Sequence, residues 1–419
     1  MIITKFFVTG YKNLVDCELA PIGLHAITGC NSTGKSNCLE VLPFVASLIS
    51  GSDTQRKAIL TKGWSPNGVW FPCVIERNQL RDFEFHLHLE ITIGEIVHSV
   101  SYELELQSTA INTVGYPQPT EVRIGRELLK AKPLGQPGKI KTLLNRDSAG
   151  WVTLNGAKSD RSREVFKCRP DMSALQALSV LMVDDFEEKL PEIFVFNQEL
   201  QATSLVRLDP EGFKTALTSS NRSSTATLPR AGIISSYDPY YALHELKKDP
   251  RKWDEFKLWL DRLVGIKDLV LHEAERNTGS PLAETTKFIF PLQNGRLIQA
   301  SELSMGGTIV LGHLIGLYAL LDKGGVALFE EPENFLHPKA VMNLISLFKE
   351  ISVDHTVIIS THSPVVLNSL SPKQVTVMKP LGNGLVTTKN VGDIKEAVDA
   401  LNRGFVNFGD LLQTDYEQT

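Results

Sequence analysis

Apolar and polar positions change their spacing several times along the 419 residues. Residues 2–8 are mostly apolar and run into a turn at Gly10, and a second apolar segment closes on Leu24-His25-Ala26-Ile27-Thr28. Glycine follows at once, and Leu39, Val41, Leu42 and Val45 then recur at helical spacing. The pattern predicts a strand, a glycine-rich turn and a helix. Over 70–125 the spacing becomes alternating, as in Phe83-Glu84-Phe85-His86-Leu87-His88-Leu89-Glu90 and Val100-Ser101-Tyr102-Glu103-Leu104-Glu105-Leu106. Such strands have one apolar and one wet face, which predicts an antiparallel lobe. Helical periodicity occupies 172–195 and 239–265, the latter with Trp253, Phe256, Trp259, Leu260 and Leu263 as its core stripe. Between them 218–227, TSSNRSSTAT, is a polar loop. From 301 the chain predicts a helix at 309–321, a buried strand at 326–329, a helix at 338–351, a strand at 356–360 and a closing strand near 374–378. There is no internal repeat and no long heptad run.

This order predicts an α/β fold with a largely parallel core sheet built from both chain ends (1–65 and 266–419), an antiparallel β lobe at 66–171 and a helical insertion at 172–265. Candidate chemistry lies where the predicted strands end. Gly29-Cys30-Asn31-Ser32-Thr33-Gly34-Lys35-Ser36 is a Walker A run, GxxxxGKS, after a strand and opening a helix. Its glycines let backbone N–H groups face phosphates, Lys35 is expected to reach the β/γ-phosphates, and the Ser36 hydroxyl is expected to ligate Mg²⁺. Val326-Ala327-Leu328-Phe329 runs into Glu330-Glu331-Pro332-Glu333-Asn334, which is Walker B logic: Glu330 orients the metal shell and Glu331 acts as base on the attacking water. Taken alone, an acidic strand end is commonplace. Its position after a Walker A run gives it meaning.

Ser304, Gly306 and Gly307 open an apolar helix about 20 residues before that strand. A serine N-cap is the ordinary reading; a second anion cradle, offered to a neighbour's γ-phosphate, is the other. His362 stands at the polar tip of the 356–360 strand, in Ser360-Thr361-His362-Ser363-Pro364, where it would face the γ-phosphate and sense nucleotide state.

In this order the motifs resemble those of the RecF-like predicted ATPases, a prokaryotic branch of ABC-type ATPases close to the ATPase parts of OLD-family proteins. The resemblance implies a P-loop NTPase of ABC/RecF–SMC head type, in which two heads sandwich two ATP molecules with Mg²⁺. It implies that Gly29, Asn31, Ser32, Thr33, Gly34, Lys35, Ser36 and Asn37 bind nucleotide in one protomer while Ser304, Gly306 and Gly307 act from the other. Glu331 is then the general base, His362 the switch residue, and Ser36 with Glu330 the metal ligands. Two departures stand out. The metal position is Glu330 where aspartate is usual, and no Q-loop glutamine emerges from spacing, with Gln55, Gln79 and Gln107 all open. After His362 there is no DxD pair, so no Toprim nuclease centre is expected.

Composition narrows the setting. With 42% apolar and 22% charged residues and a net charge of −5, the chain is ordinary globular material and no nucleic-acid coat protein. Yet 121–169 holds twelve Lys/Arg against five acids, a segregated basic segment that either contacts a phosphate backbone or is a solvated loop. Five cysteines without a CxxC pair, no signal-peptide pattern and no apolar run of 18 residues predict a reduced, cytoplasmic protein with no membrane segment. The favoured role is an ATP-driven homodimeric switch controlling a separate effector (a nuclease or toxin) in anti-phage defence, as the resemblance implies. A RecF-like repair ATPase that binds duplex DNA, and an ATP-bound assembly scaffold with little turnover, stay open.

Overall fold

The computed structural model describes residues 1–51, 56, 74–75, 79–80, 82–111, 118–135, 139–155, 163–181, 186–218, 232–234, 239–272, 287–292, 294–321, 324–382, 384–402 and 407. The polar loop predicted at 218–227 lies outside them beyond Thr218, as does Gln55.

Two large sheets organise the chain. A seven-stranded sheet has the order Gly232–Ile234, Ser204–Val206, Ala327–Glu330, Val357–Ser360, Leu24–Thr28, Val375–Gly382, Leu385–Asn390. Every neighbouring pair is parallel except the last, which is antiparallel. The central strands are buried along their whole length, as parallel strands covered on both faces must be. Alternate residues enter different cores. Ile27, Leu328 and Ile358 pack with the helix Lys35–Ser50 and the antiparallel sheet. Leu24, Ala26, Ala327, Phe329, Val357 and Ile359 pack with the helices Pro250–Val264, Met305–Leu321 and Pro338–Ile351. The two-residue period of a strand divides the apolar residues between these layers.

The second sheet has eight strands, all antiparallel, in the order Arg163–Lys167, Trp151–Asn155, Lys141–Arg146, Gln118–Pro133, Ile96–Ile111, Phe83–Ile93, Ile2–Thr9, Cys17–Leu19. The opening strand Ile2–Thr9 pairs with Phe83–Ile93 in this sheet, so the chain's first residues cut across the expected division at 65/66. Its burial is largely one-sided, suited to a sheet with one wet face. The segment 172–265 is likewise not purely helical. Its strands Ser204–Val206 and Gly232–Ile234 extend the parallel sheet beside Ala327–Glu330.

Helix Pro250–Val264 illustrates local coding. Asp249 accepts from the Arg251 and Lys252 N–H groups, Pro250 starts the helix, and Gly265 ends it at φ 72°. Trp253, Phe256, Trp259, Leu260 and Leu263 are buried, as their spacing predicts. No helix among the described residues is long and apolar enough to cross a membrane.

Candidate functional site

The strands Leu24–Thr28, Ala327–Glu330 and Val357–Ser360 run parallel, so the motifs that follow them emerge at one end of the sheet. Gly29 and Gly34 have φ of 142° and 85°, and a Cβ on Gly34 would lie 2.7 Å from Asn13 Oδ1. The loop therefore needs glycine there for both conformation and space. Gly34 caps the helix Lys35–Ser50 without a side-chain hydrogen bond, leaving the turn lined by backbone. Lys35 is 7% exposed, and its Nζ donates to the Gly29 and Cys30 carbonyls at 3.0 and 2.9 Å. Thr33 Oγ1 donates to the Cys30 carbonyl at 2.8 Å. Asn31 and Ser32 are exposed at the loop's rim. Asn37 Nδ2 donates to Asn13 Oδ1 at 2.8 Å while its own Oδ1 accepts from Lys12.

Across the sheet, the Ser36 hydroxyl donates to Glu330 Oε1, joining the two predicted metal ligands directly. A hydroxyl and a carboxylate are hard oxygen donors, and Mg²⁺ characteristically takes few protein ligands beside water and substrate phosphates. The residues fit that ion. They also fit a triphosphate, since a glycine loop, a helix N-terminus and a buried lysine converge on one cradle.

Glu331 adopts φ 43°, a left-handed conformation that costs a non-glycine residue energy and persists only when its surroundings enforce it. Its N–H bonds the Ser360 carbonyl at 3.1 Å and the Ser360 hydroxyl at 3.2 Å. One carboxylate oxygen accepts from Asn334 Nδ2 at 2.8 Å, and the other lies 3.6 Å from His362 Nε2. The structure thus gathers Lys35, Ser36, Glu330, Glu331 and His362 at neighbouring strand tips.

Ser304, Gly306 and Gly307 make different contacts. Ser304 Oγ accepts from the Gly307 N–H at 3.1 Å, so within one chain the serine caps its own helix, with its side exposed. A Cβ on Gly306 would lie 2.9 Å from the Phe335 carbonyl. Gly306 is therefore pressed against the turn that follows Glu331.

Several neighbours were not foreseen. Glu333, its carboxyl pushed up by burial, accepts from the Thr361 hydroxyl and ties the acidic turn to the His362 segment. His313 lies on the signature helix with its ring edge toward Phe329, 5.3 Å between centroids. Burial pushes it down to about 3, and it hydrogen-bonds the backbone at Pro332. Arg207, at the end of Ser204–Val206, donates to Glu330 and Glu40. Nothing in the local spacing of the sequence singled these residues out. Of the glutamines left open for the Q-loop, Gln107 stands on the antiparallel sheet against Gly125. The side chain of Gln79 lies outside the described residues. The strand beside Ala327–Glu330 ends in Arg207 instead.

The basic segment divides. Arg146 is buried and donates to the Ile124, Asp147 and Arg169 carbonyls, so it is structural and cannot contact a partner. Its neighbour Glu127 is also buried, its carboxyl raised by desolvation, and accepts from the Ala174 and Leu175 N–H groups. Arg126 and Lys130 pair with Glu103 or Glu105 on the adjacent strand. Lys139, Lys141 and Lys167 are exposed, Lys167 lying 5.4 Å over the Trp151 ring. Lys158 and Arg161 lie outside the described residues.

Residues 184–368 are similar to a family described as AAA domain, putative AbiEii toxin, Type IV TA system. That span includes Arg207, Ser304, Glu330, Glu331 and His362, but not the glycine loop. Among solved structures, an SMC head bound to the C-terminal winged-helix domain of ScpA is similar at 13% identity with a TM-score of 0.52, covering 94% of this chain and all of that one. SMC heads from Thermotoga maritima and Pyrococcus furiosus cover 93% and 96% of the chain at 13% and 12% identity and 99% of their own length, with TM-scores of 0.41 and 0.43 that are too low to bear on the fold. No curated protein matches the chain. The fold is α/β and similar to that of an SMC head.

Proposed function

We propose that the protein binds ATP with Mg²⁺ and hydrolyses it, two copies closing head to tail over two nucleotides. The convergence of Lys35, Ser36, Glu330, Glu331 and His362 at one end of the parallel sheet carries this reading. Mg²⁺ held by Ser36 and Glu330 would neutralise phosphate charge. Lys35 exchanges its two carbonyl partners for phosphate oxygens. Glu331, fixed by Ser360 and Asn334, accepts the proton of the attacking water, and His362 hydrogen-bonds the transferred group while remaining within reach of Glu331. Steady-state phosphate release with purified protein tests hydrolysis. An ATP-bound protein with negligible turnover would support the scaffold reading instead.

Ser304 belongs to the neighbour's site in this reading. It is exposed at the start of its helix, and the neighbouring Gly306 is pressed against the Phe335 carbonyl, so the serine stands on the surface where a second copy can reach it. Ser304→Arg should leave nucleotide binding by each protomer intact and block closure. Mixing Ser304→Arg with Lys35→Ala places both defects in one composite site and none in the other. Partial recovery of ATPase activity on mixing is expected, whereas a site complete within one chain gives no recovery.

We further propose that closure controls a separate effector in anti-phage defence. Similarity to a family described through a toxin–antitoxin system fits this role, and an SMC head bound to ScpA is a precedent for a head of this fold carrying a second protein. The lysines on and beside the antiparallel sheet, Lys139, Lys141 and Lys167 exposed and Lys132 half-buried, favour a second reading, contact with nucleic acid. Lys132, Lys139, Lys141 and Lys167 replaced together by glutamine should weaken binding to any duplex equally. The salt slope should fall by at most about 3.6, since each lost phosphate contact releases about 0.9 fewer counterions. Unchanged binding, or none by the unaltered protein at low salt, makes the segment a solvated face.

A further inference from the structure

Arg207 belongs to none of the motifs above, yet it donates directly to the carboxylate expected to hold the metal. It follows strand Ser204–Val206, paired in parallel with Ala327–Glu330, so it emerges level with Glu330. Its Nε donates to Glu330 Oε2 and its Nη2 to Glu40 Oε1 at 2.8 Å. Glu330 Oε1 is taken by the Ser36 hydroxyl. Glu40, on the phosphate-loop helix and 5% exposed, gives its second oxygen to Lys12. The carboxylate and the hydroxyl suited to a divalent ion are therefore satisfied by each other and by a guanidinium. A cation ligated by Glu330 and Ser36 must break the bond between them, and it enters within a few ångströms of a fixed positive charge. The two cations cannot share Glu330 without mutual repulsion, which water softens but does not remove, because Glu330 is half-buried and Arg207 only partly exposed.

We propose that Arg207 is an internal counter-cation of Glu330, which the divalent ion displaces, with Glu40 holding the guanidinium after it lets go. Metal loading is then a competition between two cations for one carboxylate. Glu40 sets the outcome, because it gives Arg207 somewhere else to be. The forked guanidinium suits the task, since it can release one carboxylate while staying bound to the other. The proposal rests on the nucleotide reading above.

The test is the affinity of a non-hydrolysable ATP analogue, measured by calorimetry in EDTA and in Mg²⁺, with the ratio of the two Kd values as the readout. Arg207→Gln removes the competitor and should raise the benefit of Mg²⁺ on the order of tenfold, about 1.4 kcal/mol. Glu40→Gln removes the guanidinium's second anchor and should lower it by a similar factor. Lys12→Gln removes a positive charge from the same network without touching Glu330 and should change the ratio less than about threefold. A second readout is thermal unfolding. Without metal, Arg207→Gln should melt below the unaltered protein, because Glu330 and Glu40 each lose one of their partners, and the rise on adding Mg²⁺ with analogue should be larger. If Arg207→Gln does not fold, the opposite sign expected of Glu40→Gln still decides.

A ratio unchanged or lowered by Arg207→Gln would make the arginine a brace for Glu330 and overturn the proposal. Equal tightening in Lys12→Gln would overturn it too, by reducing the effect to a general field. Absence of analogue binding by the unaltered protein at any Mg²⁺ concentration would overturn both this proposal and the nucleotide reading. Normal binding with an insensitive ratio overturns this proposal alone.

Discussion

Glu331→Gln should bind ATP normally and hydrolyse it on the order of 10²–10⁴-fold more slowly, the range expected when a positioned general base is lost. The substitution preserves shape. Glutamine can still present an oxygen to Asn334 Nδ2, and the backbone bonds from residue 331 to Ser360 do not involve the side chain. The Ser36–Glu330 pair is untouched, so metal and nucleotide binding should persist. The left-handed backbone at 331 is set by the turn, and glutamine tolerates it no worse than glutamate. With hydrolysis stalled, the ATP-closed dimer should accumulate and be visible by light scattering. Phosphate release and calorimetry on the same preparation separate binding from chemistry. Normal turnover in Glu331→Gln with an inactive Glu330→Gln would mean that the two acids have exchanged roles.

Lys35→Ala should cost at least about 10² in ATP affinity, roughly 3 kcal/mol, because it deletes charge-assisted hydrogen bonds to the phosphates. In the nucleotide-free chain Nζ satisfies the Gly29 and Cys30 carbonyls. The Cys30 carbonyl is part-buried and the Gly29 carbonyl buried, so truncation leaves at most one buried acceptor to be satisfied by water in the space that the side chain vacates. The fold should therefore survive: helix Lys35–Ser50 is anchored by Cys38, Leu39, Val41, Leu42 and Val45 rather than by Lys35. A melting curve beside the binding isotherm distinguishes a lost site from a lost fold. Equal ATP affinity in Lys35→Ala and the unaltered protein, with both folded, would remove the phosphate-cradle assignment altogether.

Much of the site was legible because its signals are local. A continuous apolar run predicts a strand buried on both faces, and three largely apolar runs, at 24–28, 326–329 and 356–360, each lead into a polar motif. Parallel pairing then puts those ends side by side, so Gly29 to Ser36, Glu330, Glu331 and His362 could be expected near one another before their geometry was known. The helix Pro250–Val264 was equally readable from its cap, its terminal glycine and its buried stripe.

What only the tertiary structure decided depends on pairings between distant segments. Strand Ser204–Val206 is three residues long, too short to carry a period, yet it sets Arg207 against Glu330 across more than 120 residues of chain. Glu40 reads as one polar residue on an apolar helix until Lys12 and Arg207 are seen to meet it. Ile2–Thr9 could have joined either sheet, and its partners, not its composition, place it beside Phe83–Ile93. The basic segment looked uniform, whereas cross-strand register neutralises Arg126 and Lys130 and burial removes Arg146. Local spacing specifies which groups stand at a strand's end. Which charges face one another there depends on the order in which strands pair, a global property of the chain with no short-range signal.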